Sequence, residues 1–219
     1  MIPLMRDVIR KFKACDPACH WAGDMDVQTG YELCTHPGWL MLLLFSIRNE
    51  KNAVSSTQAI QACHQLLKTS LRLTSDNGVL DSPMLAVSHF VKPTGDLEQI
   101  KKQRDYVSQR AAKLHASLAH IGLDNKIISD MYVAKAVDAF LAVAEYRDDV
   151  TMCAKAAHTS IDMVSLALLT EKYPGFFADT LNISNPTPVA DIKIFHLAKR
   201  VELCNLLRKH VPQPFLSYE

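Results

Sequence analysis

A chain of 219 residues that is 48% apolar and 21% charged can bury one sizeable core and carries too little charge to stay disordered. Its net charge of +1 supplies no overall field to draw it to nucleic acid or an anionic membrane. Seven glycines are too few for the Gly-rich turns of a doubly wound sheet.

The first fifteen residues, MIPLMRDVIRKFKAC, interrupt their apolar positions with Arg6, Asp7, Arg10, Lys11 and Lys13. They do not read as a secretory signal. The longest apolar run, Trp39 to Phe45, would rise only about 10 Å as a helix, against a hydrocarbon layer of roughly 30 Å. A cytoplasmic chain without a membrane span is expected, with its six cysteines as reduced thiols. The glycosylation triplet at Asn182 to Ser184 carries no weight in that setting.

Apolar residues recur at steps of three and four almost throughout, which is the helical period. A first helix follows Pro3, with Leu4, Met5, Val8, Ile9 and Phe12 on one side. Residues 15 to 36 show no clear period and are expected to be an irregular corner rich in Cys and His, with room for a short helix. Pro37 suits the first turn of a helix over 37 to 49 that is apolar almost all round and therefore central. SSTQ at 55 to 58 can cap a helix carrying Ile60, Cys63, Leu66, Leu67 and Leu71. SDNG at 75 to 78 reads as the turn that ends it, and Ser82-Pro83 as the start of a short helix ended by Pro93 and Gly95.

Positions 97, 100, 104, 107, 111, 114, 118 and 121 then alternate steps of three and four. They read Leu, Ile, Arg, Val, Ala, Leu, Leu and Ile, a seam with one polar member, and Gly122 is placed to cap it. Asp124 or Asn125 opens a helix running to about Arg147. Another covers 149 to 173 and stops at Pro174-Gly175. After a looser stretch, FFADTLNISNPTP, Thr187 and Pro188 form a cap and first-turn pair for a last helix over 188 to 210. The expected fold is an all-α antiparallel bundle of about seven or eight helices in a single domain over 1–219. A soft sub-boundary near 75–82 separates the N-terminal helices and their corner (1–75) from the long-helix part (82–219).

The corner offers Cys15, Cys19, Cys34 and His36, enough ligands for one structural zinc ion, with His20 to spare. The spacing departs from zinc hooks: three residues separate Cys15 from Cys19, and only one separates Cys34 from His36. Cys19 could instead be a reactive thiol in the first turn of a helix opened by Asp16 and Pro17, beside His20. The plainest reading is that these thiols fill space around Trp21 and Trp39. His158 and Asp162, four apart, share one helix face, where an intrahelical contact is the ordinary outcome.

Basic residues gather in two groups, Lys101, Lys102, Arg104, Arg110 and Lys113, and Lys199, Arg200, Arg208 and Lys209. Joined on one face they could grip phosphates with salt-sensitive affinity. Arg104, alone among apolar seam positions, needs a carboxylate partner or an exit to the rim. The seam itself, through Leu97, Ile100, Arg104, Val107, Leu114 and Leu118, is expected to form a helix–helix contact within the chain or between copies. No Glu has a His three residues later, and no zincin, nucleophile-elbow, phosphate-loop or dinucleotide motif occurs. No catalytic residue can be named. The sequence favours a non-enzymatic binding or assembly protein that meets a protein partner or its own copies. A nucleic-acid-binding or packaging protein, or a metal- or thiol-dependent enzyme centred on Cys19, His20, Cys34 and His36, stands as the alternative.

Overall fold

The computed structural model describes residues 4–47, 55–92, 97–121, 124–173 and 189–212. Among them are ten helices: α1 (Met5–Lys11), α2 (Asp16–Ala22), α3 (Val27–Leu33), α4 (Pro37–Ile47), α5 (Ser56–Leu71), α6 (Asn77–Val91), α7 (Leu97–Ile121), α8 (Asn125–Glu145), α9 (Val150–Lys172) and α10 (Val189–His210). No strand occurs among the described residues; Leu4 and Asp26 form one isolated bridge. No helix among them is long and apolar enough to cross a membrane.

The count exceeds seven or eight because the corner is not irregular. Pro17 stands at the start of α2, and the Asp26 carboxylate accepts the Thr29 N–H at 2.8 Å to open α3. Two seven-residue helices result. A second difference lies at SDNG. Asp76 accepts the Gly78 N–H at 3.0 Å and caps α6, so the helix begins five residues before Ser82 and carries Pro83 inside it. The side chain that makes Asp a turn residue also satisfies the free N–H groups of a helix start. At α2 the cap position falls on Cys15 rather than Asp16 and makes no side-chain bond, whereas three later helices start where the sequence puts them. Ser55 and Gln58 close a capping box, Asp124 accepts from Lys126 and Ile127, and Asp149 accepts from Met152. The expected stops or caps at Pro93, Gly95, Gly122, Pro174-Gly175 and Thr187-Pro188 lie outside the described residues.

One contiguous apolar cluster runs from Met5 in α1 to Val211 just past α10. It spans both sides of position 75. At its centre α8 packs on α9, α7, α6 and α5, while α4 lies along α9 and meets α1 and α5. α4 is apolar on nearly every side, as a buried helix must be, and α8 buries most of its length while keeping one charged face with Asp130, Lys135, Asp138 and Glu145. The alanines of α8 and α9 let these two approach closely, and the Ser160 hydroxyl donates to Ala136 O at 2.9 Å across the contact. The seam of α7 is used inside the chain: Ile100, Val107 and Ala111 are buried, α8 is the main neighbour, and Leu114 and Leu118 are half-buried.

His64 is buried, 6% exposed, with its ring stacked on Phe140 at 5.7 Å between centroids. Burial pushes its pKa down to about 4, and Lys68 adds to the shift. The unfolded chain takes up this proton near pH 6.5, the folded chain only near 4. Between those values the unfolded state holds more protons, so stability falls as pH drops through the window. The expected loss is on the order of 2 kcal/mol by pH 4. Half-buried His196, also shifted down by burial, acts in the same direction. Urea titrations at pH 7 and pH 4.5 check this: His64→Leu should flatten the pH dependence, and parallel profiles for the two proteins would contradict it.

Candidate functional site

Three side chains of metal-binding type converge where the first turn of α4 meets the middle of α9. His36 precedes Pro37 and accepts, through its carbonyl, the Leu40 N–H at 3.1 Å. His158 and Asp162 stand one turn apart on α9. His158 Nε2 is 3.5 Å from Asp162 Oδ2, and His36 Nδ1 is 4.0 Å from Asp162 Oδ1. Their ligand atoms all lie within 4.8 Å of one another, the one such His/Cys/Asp/Glu group among the described residues.

The rings are held by packing. His36 stacks on Trp39 with centroids 4.4 Å apart and planes 5° from parallel, and Trp39 leans on Trp21 at 5.7 Å. His158 lies parallel to His36 at 6.0 Å. Gly38 makes the junction possible: a Cβ there would sit 2.6 Å from Asp162 Oδ1 and 2.9 Å from His158 Cδ2. Burial raises the Asp162 pKa, and His158 opposes that rise. His36 Nδ1 is buried with no hydrogen-bond partner, a costly state for a ring nitrogen. Beside the cluster is a hollow of about 170 Å³, lined by His158, Trp39, Cys15, Lys13, Lys155 and Leu42 among others.

The cysteines of the corner are spread out. Cys15 is exposed at the start of α2, and Cys19 is half-buried with its Sγ 4.0 Å from Ala14 O. Cys34 is buried, with Sγ 3.4 Å from both the N and the O of His36. Burial pushes the Cys34 thiol up to about 12 despite Arg208 and Arg200, and Cys204 likewise. Both are protonated at neutral pH and are poor nucleophiles. So His36, proposed from sequence beside three cysteines, keeps Cys34 against its backbone and brings its ring to the His158–Asp162 pair. Each half was visible in the sequence; their meeting was not.

The basic groups are largely engaged at home. Arg104 pairs with Asp138 at 3.3 Å and with Glu145, and Arg110 pairs with Asp76 at 2.6 Å. Burial lowers the Arg104 pKa, but the Glu145 and Asp138 carboxylates outweigh it and the net shift is upward. Arg208 donates to Tyr31 O at 2.8 Å and to Cys34 O, tying α10 to the end of α3. Lys199 pairs with Glu202, and Arg200 is half-buried with its pKa lowered by burial. Lys101, Lys102, Lys113 and Lys209 are exposed. The two groups sit on helices with different neighbours, α7 on α8 and α6, α10 on α5, α9 and α4.

A surface hollow of about 550 Å³ lies between the end of α5 and the start of α8 and is lined by Arg72, Leu73, Asn125, Lys126, Ser129 and Glu171. Lys126 Nζ is turned to Leu73 O and Asp130, so its charge is already used. Comparison with known proteins finds no match: no family model matches the chain, and neither does any curated protein or solved structure.

Proposed function

We propose that the protein is a helical assembly module, and that its contact surface is an outward apolar line on α10. One observation carries this reading. The inward side of α10 buries Ile192, Leu203, Cys204 and Leu207, which accounts for its place in the fold. A second line, Ala190, Ile194, Leu197 and Val201, follows the same three- and four-residue steps on another side. Ile194 is 67% exposed and Leu197 52%. Single exposed apolar residues are ordinary, but a helical line of them is what a partner helix covers.

A second copy of the chain is the partner this surface suits. The net charge of +1 offers little repulsion between copies, and the line is flanked by charges of both signs, Asp191, Lys193 and Glu202. The arginines Arg104, Arg110 and Arg208 are engaged in internal contacts, which takes them from a phosphate-binding face.

Sedimentation of the full chain from micromolar to near-millimolar concentration is the test. Reversible association is expected, abolished in the Ile194→Glu, Leu197→Glu double variant with its melting temperature nearly unchanged. A strict monomer over that range, or association that the double variant leaves intact, would overturn the proposal.

A further inference from the structure

The His36–His158–Asp162 cluster supports a second inference, independent of the assembly reading. We propose that His36 Nδ1, His158 Nε2 and the Asp162 carboxylate bind a first-row divalent metal ion of the zinc type, joining α4 to α9.

The donor set selects the class of ion. Two imidazole nitrogens and one carboxylate suit zinc and its first-row neighbours, whereas magnesium and calcium prefer sites made wholly of oxygen. The spacing is close to what such an ion needs. Donors about 2.1 Å from a tetrahedral centre lie about 3.4 Å from one another. The His158–Asp162 separation of 3.5 Å meets that already. His36 Nδ1 lies 4.0 Å from the other carboxylate oxygen, Oδ1, so binding requires a contraction of less than an ångström together with a turn of the carboxylate.

Two further observations point to a ligand rather than a chance grouping. The buried His36 Nδ1 has no hydrogen-bond partner, and a metal would supply one. Gly38 leaves room for the carboxylate and the His158 ring to come against the α4 backbone, where any side chain would displace them. Stacking on Trp39 fixes the His36 ring before any ion arrives, which lowers the ordering cost of binding. Three protein ligands leave a fourth position open, as in zinc sites that hold water or a small ligand. His158 also lines the neighbouring hollow, whose Lys13 and Lys155 would favour an anion there.

The experiment uses the full chain, stripped with a chelator, dialysed, and titrated with zinc chloride alone. Metal content is read by mass spectrometry and affinity by calorimetry. One zinc per chain is expected, with no comparable uptake of magnesium. Asp162→Asn and His158→Gln should each weaken binding roughly a hundredfold or more while circular dichroism stays native. The Cys15→Ser, Cys19→Ser double variant should bind as the parent does. Cobalt in place of zinc should give visible ligand-field bands without thiolate-to-metal charge transfer. Folded protein that takes up no zinc beyond surface traces would overturn the proposal. So would stoichiometric zinc that ignores Asp162→Asn and His158→Gln, or that is lost in the cysteine variant.

Discussion

Phe140→Ala is expected to lower stability by about 3–5 kcal/mol, the usual cost of removing a fully buried ring. Phe140 has no exposed surface, sits on central α8, and carries the stacked His64 ring of α5. The helices around it are pinned by their other contacts, so the vacated space cannot close fully. For a chain of this size the loss corresponds to a fall in melting temperature of roughly 10 °C or more. Phe140→Leu, which keeps most of the volume, should cost far less. Calorimetry of the three proteins decides the matter. A melting temperature within about 2 °C of the parent for Phe140→Ala would mean that this ring contributes little to the packing of α5 on α8.

The second large effect is at Arg104. Its guanidinium meets Asp138 and Glu145, seven residues apart and so on one face of α8, and its charge lies 5.8 Å from the Tyr146 ring. Arg104→Ala strands two carboxylates that are each only about a quarter exposed. Fully buried pairs lose about 3–5 kcal/mol when one partner goes, and solvent access here reduces the expectation to about 2 kcal/mol. Much of that is the penalty on the abandoned carboxylates. Glu145→Gln should therefore recover part of it in the Arg104→Ala background. Urea melts of the four proteins in the cycle should give a coupling of at least about 1 kcal/mol. Strict additivity would show that the contact contributes nothing to the fold.

These two sites also mark what could be read from sequence. The three- and four-residue spacing that defines α7 runs over twenty-five residues, long enough for the period to be unmistakable, and Leu97 and Ile121 bound it as expected. The same spacing shows that Arg104 faces a neighbour and needs either a carboxylate or an exit to the rim; the structure gives it carboxylates. It cannot say which, because the partners come from another helix, 34 and 41 residues further along the chain. In α2 and α3 seven residues make scarcely two turns, too few for a period to emerge, so Pro17 in the first turn of one and the Asp26 cap of the other are the only local marks of them. Asp76 misled because an Asx side chain serves a turn and a helix start with the same hydrogen bond. At the candidate site, the four-residue spacing of His158 and Asp162 was legible, and so was the suspicion attached to His36. Their convergence depends on how α4 crosses α9, which local pattern does not encode. Gly38 was the overlooked signal, a glycine in the first turn of an otherwise bulky apolar helix.

Trp21 and Trp39 are the chain's only indoles; Trp39 stacks on the His36 imidazole and Trp21 leans on Trp39. Emission excited selectively from tryptophan therefore originates at that junction, from one indole stacked on the imidazole and a second leaning on the first. Nature has placed a built-in optical reporter on this junction, so any event that charges, turns or ligates the imidazole is written into the light the protein gives off.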